Sequence, residues 1–315
     1  MVNKMKILDL RKSFFEKKIT KKNYINKIYN NWHDKLFQYK DFIGETNLKS
    51  INITDKELIF ETKNNIKLYC TPGDKRIAPI EFLNFGEYEK KELDIIGKLV
   101  KKDFTFVDVG ANIGWHSINV AKKNKNIKLY AFEPVPSTFQ WLNHNIRLNK
   151  IKNITAHNMG LYNSNKTSNI FFYPTSSAAS SLKNTQKEKK ILKIKCKMTT
   201  MDNIFYKNNK KVDFIKCDVE GSEYLFLKGA SRTLKKYRPT MLIEILRKWS
   251  KFFVNNPNKI FEYLDKIGYV SFSINENSIK RFKSMNKQTK ATNFLFVHKT
   301  KITSFLRDLK KFNII

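Results

Sequence analysis

Residues 106–121 read FVDVGANIGWHSINVA, and few stretches of the chain leave the backbone so little choice. An apolar run meets a carboxylate at Asp108, Gly110 and Gly114 bracket a short turn, and the residues from about Trp115 suit a helix. In a strand–turn–helix of this kind, glycine lets backbone N–H groups approach a ligand, and the helix N-terminus adds positive dipole. A dinucleotide turn reads G-x-G-x-x-G, with its second glycine close against a pyrophosphate. Here Asn112 stands in that place. A side chain there argues against NAD or FAD and leaves room for a nucleoside ligand without phosphates. Asp108 points the same way, because a carboxylate repels phosphate but accepts hydrogen bonds from an ammonium group, such as that of S-adenosylmethionine.

Around this turn the chain alternates. Strand FTFVDVG is followed by a helix, strand KLYAFEP, helix STFQWLNHNIRLNK and strand NITAHNMGL. Further on come strand VDFIKCDVEG, helix EYLFLKGASRTLKKY, strand PTMLIEI, helix NPNKIFEYLDKIGY and two last strands, VSFSIN and NFLFVHK. This is the βαβ pattern of an α/β fold, a mostly parallel sheet of about seven strands with helices on both faces. A polar interval, YNSNKTSNIFFYPTSSAASSLKN, breaks the alternation, with FFY as a short strand and SSAASS as a loop placed to sit over a ligand. Upstream, residues 8–42 read as amphipathic helices, and residues 51–70 as a β-hairpin around an Asn-Asn turn. The spacing of Leu93, Ile96 and Val100 marks one more helix before the turn. The expected organisation is a helical and hairpin appendage over 1–75, a catalytic domain over 76–302, and a C-terminal tail over 303–315.

Charge alone would misdirect this reading. The chain carries 61 Lys and Arg against 28 Asp and Glu, a net +33, which suggests a polyanionic partner. Only eight of the 61 are Arg, however, and the lysines are dispersed over nearly every block of the sequence. A nucleic-acid surface concentrates Arg, Lys and aromatics on one face, so nucleic acid is not the expected partner. Cys70, Cys196 and Cys217 have neither zinc spacing nor the even number of a disulfide framework. No apolar run approaches the ~18 residues of a membrane span, and MVNKMKILDLRKSFFEKK lacks a signal-peptide core. A soluble, cytoplasmic protein is expected.

Chemistry-bearing residues collect at the ends of the expected strands. Glu133 follows the first glycine at the distance of an acidic residue that accepts hydrogen bonds from ribose hydroxyls. Asn158 and Met159 end the third strand, where an amide can meet the adenine amino edge and a thioether can pack on the ring. Asp218, Glu220 and Glu223 follow the fourth strand, at the sheet edge where open α/β folds bind ligands. Carboxylates there can orient an acceptor hydroxyl, accept its proton or hold a divalent cation; no metal site is assigned. Glu223, in a first helical turn, reads as a solvated, dipole-stabilising acid. Glu244 lies inside an apolar run and reads as a site residue or as an ion-pair partner of Lys216. His116, just past the glycine turn, is a candidate base.

DVGANIGWHS, AFEPVPSTFQWLNHNI, FIKCDVEGSEYLFLKGA and RPTMLIEI occur in this order, and together they resemble the FkbM family of S-adenosylmethionine-dependent methyltransferases from about Gly86 to His298. The most specific element is Lys-Cys-Asp-Val-Glu-Gly at 216–221, similar to the family's K-I-D-V-E-G with Cys217 replacing an aliphatic residue. Tyr88-Glu89 matches the family's acidic pair upstream of the glycine turn, which adds Glu89 to the cofactor contacts. The resemblance implies a Rossmann-like class I methyltransferase fold with seven strands, the last antiparallel, and O-methylation of a sugar, glycan or related metabolite hydroxyl. On this reading Glu89, Asp108, Gly110, Asn112, Gly114, Glu133, Asn158, Met159 and Asp218 hold S-adenosylmethionine, while Asp218, Glu220 and His116 act on the acceptor. The rivals are an RNA methyltransferase that uses its basic N-terminal region, and a non-catalytic binding module that retains the fold.

Overall fold

A computed structural model describes residues 6–186, 190–275 and 278–311. The N-terminal region is helical as its periodicity predicts, with helices Ile7–Phe15 and Lys21–Ile28, the latter continuing through a wide turn, Tyr29–His33, into Asp34–Gly44. Next comes an antiparallel meander of β1 (Leu48–Ile53), β2 (Leu58–Thr62) and β3 (Lys67–Tyr69). β2 and β3 are the expected hairpin, turning where Asn65 takes a left-handed φ of 59° that asparagine tolerates. β1 extends the hairpin by a third strand. The meander buries Leu48, Phe60, Ile66 and Leu68 in the same cluster as Phe106 and Ile118 of the main fold.

Helices Ala78–Phe85 and Lys90–Leu99 lead into β4 (Thr105–Val109), β5 (Lys128–Phe132) and β6 (Ile154–His157), which pair in parallel. The connecting helices are Trp115–Lys123 and Pro136–Leu148, and the second starts on a proline whose missing N–H costs nothing at that position. β7 (Gly160–Leu161), β8 (Lys166–Phe172) and β9 (Leu192–Thr199) form a separate three-stranded sheet. The polar interval is thus more ordered than its composition suggests. Phe171 and Phe172 of FFY end a seven-residue strand that pairs with β9 over its whole length, and Tyr173 follows it. Its outer positions are polar because they face water.

β10 (Phe214–Cys217) and β11 (Thr240–Glu244) return to the main sheet, followed by β12 (Tyr269–Ile274), β13 (Ile279–Phe282) and β14 (Asn293–His298). The strand order is β13-β12-β14-β11-β10-β4-β5-β6, and β14 runs antiparallel to both its neighbours. This is the class I methyltransferase order with the expected antiparallel last strand. The count of seven is corrected to eight by β13, a short edge strand whose exposed Lys280 and Arg281 disguise it in the sequence and protect the open edge. All four residues of β10 are buried, as a central strand covered on both faces requires. Within the stretch read as a C-terminal tail, helix Ile302–Lys311 buries Phe305 and Leu309, and Asp308 pairs with Lys101 at 2.9 Å; residues 312–315 lie outside the described chain. No helix among the described residues is long and apolar enough to cross a membrane.

Candidate functional site

A cavity of about 740 Å³ opens at the carboxyl ends of the parallel strands, where Gly110, Glu133, Asp218 and Glu244 all contribute to its wall. Gly110 sits here because nothing larger fits. Its φ is 81°, and a β-carbon would stand 1.9 Å from the carbonyl oxygen of Asp218. The strand therefore turns into helix Trp115–Lys123 with β4 and the segment after β10 in direct backbone contact.

The amides of this turn are already committed. Gly110 and Ala111 both donate to the Phe132 carbonyl at 3.0 Å, and Gly114 donates to Ala111 at 2.9 Å. Asn112 donates its N–H to Glu133 Oε2 at 3.0 Å, and its own side-chain oxygen accepts the Ile113 N–H at 2.6 Å. A pyrophosphate would need these donors free. Asn112, at a left-handed φ of 48°, folds its amide back over the helix start and takes the place an anion would occupy. The exclusion of a dinucleotide drawn from the missing glycine thus has a structural basis.

Glu133 lies at the rim of the same turn, only 6% exposed. Its Oε1 accepts the Val135 N–H at 2.9 Å while Oε2 holds Asn112. Burial pushes its carboxyl up to about 7, against the opposing effect of these two backbone donors. A carboxylate has more acceptor positions than these two bonds use, so it retains capacity for ligand hydroxyls.

Other expected cofactor residues lie elsewhere. Asp108 does not appear in the cavity wall. It is completely buried behind the turn, where Oδ2 accepts the Ser117 hydroxyl at 2.6 Å and Oδ1 has no hydrogen-bond partner. Burial raises its pKa. Its in-register partners explain the correction: Ala131 is fully buried, and Lys216, which does reach the cavity wall, stands between Asp108 and the cavity. Asn158 spends its amide on the carbonyls of Glu133 and Pro134, at 3.0 and 3.1 Å, bracing the loop after β5. Met159 packs against the cluster that contains Phe132 and Leu161. Neither reaches the cavity, whose wall on this side is Pro134, Val135, Gly160, Leu161 and Met198. Sequence reasoning missed Val135 and Met198. Val135 follows Glu133 by two residues and was within reach of it, whereas Met198 is brought in by the second sheet and carries no local signal.

The opposite end of the cavity is acidic. Asp218, Glu220 and Glu244 each bring a carboxylate oxygen within 4.8 Å of the other two, and Glu89 shares the same wall. Lys216, 8% exposed, donates to Asp218 at 3.3 Å. Burial pulls its ammonium down, but Asp218, Asp108, Glu89 and Glu244 reverse this and hold it above its ordinary range. The carboxyls of Glu220 and Glu244 are both raised well above the usual carboxylate range, first by burial and then by Asp218. His116 is 4% exposed, with Nδ1 3.4 Å from Glu89 Oε2 and Nε2 without a partner. Burial, followed by Lys216, lowers its pKa, so the imidazole is neutral. Glu223, read as a solvated helix-start acid, is instead 1% exposed; it lies outside the cavity wall and accepts the Gly221 N–H at 2.8 Å. Segment 175–182 lines the cavity, with Ser181 donating to the Glu220 carbonyl at 2.8 Å. Trp249 and Lys248 close the rim.

Residues 108–271, a little over half of the chain, match the family model for the methyltransferase FkbM domain. Methyltransferase 1 of Beauveria bassiana is 26% identical over 184 residues, covering 53% of this chain and 72% of that protein. A tRNA (guanine(37)-N(1))-methyltransferase of Xenopus tropicalis is 30% identical over 147 residues, which is 41% of this chain but 29% of its own length. Among solved structures, a methyltransferase FkbM of Methylobacillus flagellatus KT aligns with a TM-score of 0.41 at 16% identity. The alignment covers 70% of this chain and about half, 54%, of that one.

Proposed function

Because the chain belongs to the FkbM methyltransferase family, we propose that its cavity binds S-adenosylmethionine at the glycine turn and directs the methyl group onto a hydroxyl oxygen of a sugar, glycan or related metabolite. The observation that carries this reading is the turn itself. All its amides from Gly110 to Gly114 are satisfied within the chain, while a buried carboxylate, Glu133, faces the cavity beside them. That donor set fits a phosphate-free nucleoside and offers nothing to a pyrophosphate. Gly110, Ala111 and Asn112 form the floor, Glu133 receives the ribose hydroxyls, and Pro134, Val135 and Leu161 supply apolar surface for the base. Asp218 supplies negative charge for the cationic part of the ligand, joined by Glu89 as its carboxyl, pushed up to about 7 by burial, ionises.

Bound there, S-adenosylmethionine supplies an electrophilic methyl group on a sulfonium. The chain's own task is to hold the acceptor hydroxyl and take its proton. Asp218 can do both: it lines the cavity, and its Oδ2 is held in place by Lys216 at 3.3 Å. Burial and Asp218 raise the carboxyls of Glu220 and Glu244 well above the usual range, which favours their protonated forms as hydrogen-bond donors to acceptor oxygens. Neutral His116 fixes Glu89 and offers Nε2 as a second proton acceptor. A positioned base contributes about 10²–10⁴-fold, and alignment of the hydroxyl for in-line attack supplies the larger share. Segment 175–182 and Trp249 form the acceptor side, where serine hydroxyls and an aromatic ring suit a hydroxylated ring compound.

The test is a screen of nucleotide sugars and glycans for release of S-adenosylhomocysteine, with calorimetric binding of S-adenosylmethionine as the first step. Absence of cofactor binding would remove the reading. Cofactor binding with transfer to RNA alone would replace the acceptor class.

A further inference from the structure

The N-terminal helices carry the chain's densest exposed apolar surface. Of the large hydrophobic side chains that stand exposed among the described residues, nine fall between Ile7 and Phe42: Leu8 is 68% exposed, Phe15 69%, Leu36 58% and Phe37 60%, with Ile7, Ile25, Tyr29, Tyr39 and Phe42 beside them. Only four such residues, Ile53, Phe85, Leu192 and Phe252, occur in the rest of the fold. Leu10 alone is buried within these helices. A surface of this kind is not needed to hold the helices together and marks a contact.

Its chemistry selects the partner. Residues 6–44 contain ten Lys and Arg against four Asp and Glu, and eight aromatic residues. All ten basic side chains are exposed. Basic residues interleaved with Phe, Tyr, Trp and Leu on a helix are what an anionic bilayer surface receives: the apolar side chains enter the headgroup boundary while the ammonium groups meet lipid phosphates. A second copy of the chain would bring two equally basic arms together. RNA would accept the cations and stack the rings, but it offers no apolar phase to Leu8, Ile25 or Leu36, and only one of the ten cations is Arg.

We propose that this helical arm, residues 6–44, docks the protein on membranes rich in anionic lipid, lying in the interface rather than crossing it. The site is separate from the methyl-transfer cavity, and its occupancy is read without any enzymatic assay. Arm and cavity then divide the work, one setting where the protein resides and the other what it modifies.

The full chain is floated with vesicles of phosphatidylcholine alone and of phosphatidylcholine with phosphatidylglycerol, at low and high salt. The expected result is binding to the anionic vesicles at least about tenfold tighter than to neutral ones, weakened by salt as the lipid charge is screened. Leu36→Ser, Phe37→Ser and Phe42→Ser together should abolish it. Because these side chains are already exposed, the circular dichroism and cofactor affinity of this variant should match the parent. Lys21→Glu with Lys22→Glu should weaken binding to anionic vesicles and leave the neutral baseline unchanged. Failure to bind anionic vesicles, or binding that the triple serine variant retains, would overturn the proposal. So would a dimer that the serine variant dissociates, or RNA binding in place of vesicle binding.

Discussion

Glu133 Oε2 accepts the backbone N–H of Asn112 at 3.0 Å, so the carboxylate that faces the cavity also holds the glycine turn in shape. Replacing Glu133 with Ala removes the proposed ligand acceptor and releases two amides, those of Asn112 and Val135. Hydrogen bonds to a charged group are worth about 1.5–3 kcal/mol each. S-adenosylmethionine affinity should therefore fall by one to two orders of magnitude or more in calorimetric titration. Glu133→Gln, which keeps one acceptor oxygen, should fall less.

The same carboxyl makes stability depend on pH in an unusual direction. Burial holds Glu133 and Glu223 at about 7, above the 4.5 of an unhindered glutamate. Between these values the folded state keeps protons that the unfolded chain has released, so this contribution to stability is complete below about 4.5 and is lost as pH rises toward 7. The drop in Tm from pH 5.5 to 8 should be smaller in Glu133→Gln than in the parent. An identical drop in both would place the ionisation elsewhere. Ligand affinity should move the opposite way in the parent, strengthening as Glu133 ionises.

Gly110→Ala tests the backbone contact. The new β-carbon would collide with the Asp218 carbonyl, at a φ of 81° that alanine resists. Strain of the backbone conformation alone costs roughly 1–3 kcal/mol, and relieving the collision must separate the glycine turn from the segment carrying Asp218. Both cofactor binding and transfer should be lost, with a lowered midpoint in urea unfolding.

Asp218→Asn should keep measurable S-adenosylmethionine binding, weakened by the lost negative charge, and lose transfer by at least about 10²-fold, the low end of general-base catalysis. Unchanged transfer would move the proton acceptor to His116, which His116→Asn would then reveal.

Lys216→Met should be among the most damaging single changes, at about 3–5 kcal/mol, because it leaves a buried group of carboxylates without its cation. Lys216 and the protons retained by Glu220 and Glu244 also supply the charge balance that a divalent ion would otherwise provide. Transfer is therefore expected to persist in EDTA; loss with recovery on adding Mg²⁺ would assign Asp218, Glu220 and Glu244 as ligands.

The sequence made the main sheet legible because central parallel strands leave an unmistakable mark, as in TFVDV and TMLIE, where burial on both faces forbids alternation. β13 escaped because an edge strand with Lys280 and Arg281 looks like a loop. In the candidate site, residues that act through their position in a turn were readable: Gly110, Asn112 and Glu133 all lie where spacing put them. Asp108, Asn158 and Met159 were placed in the right neighbourhood but on the wrong side of the chain, since proximity along a strand end does not tell which way a side chain faces. Met198 and segment 175–182 depend on the β8–β9 pairing, a contact between segments with no shared local pattern.

The acidic end of the cavity is an inversion of the molecule that contains it: a chain of net charge +33 surrounds a pocket lined by Glu89, Asp218, Glu220 and Glu244. S-adenosylmethionine arrives with a sulfonium cation, and its demethylated product leaves as a neutral thioether. On the proposed reading, the carboxylates of Asp218 and Glu89 favour the first over the second, and turnover acquires a built-in exit. Weakening that wall should lower affinity for the fresh cofactor while leaving affinity for the spent one nearly unchanged, so that inhibition by product grows relative to capture.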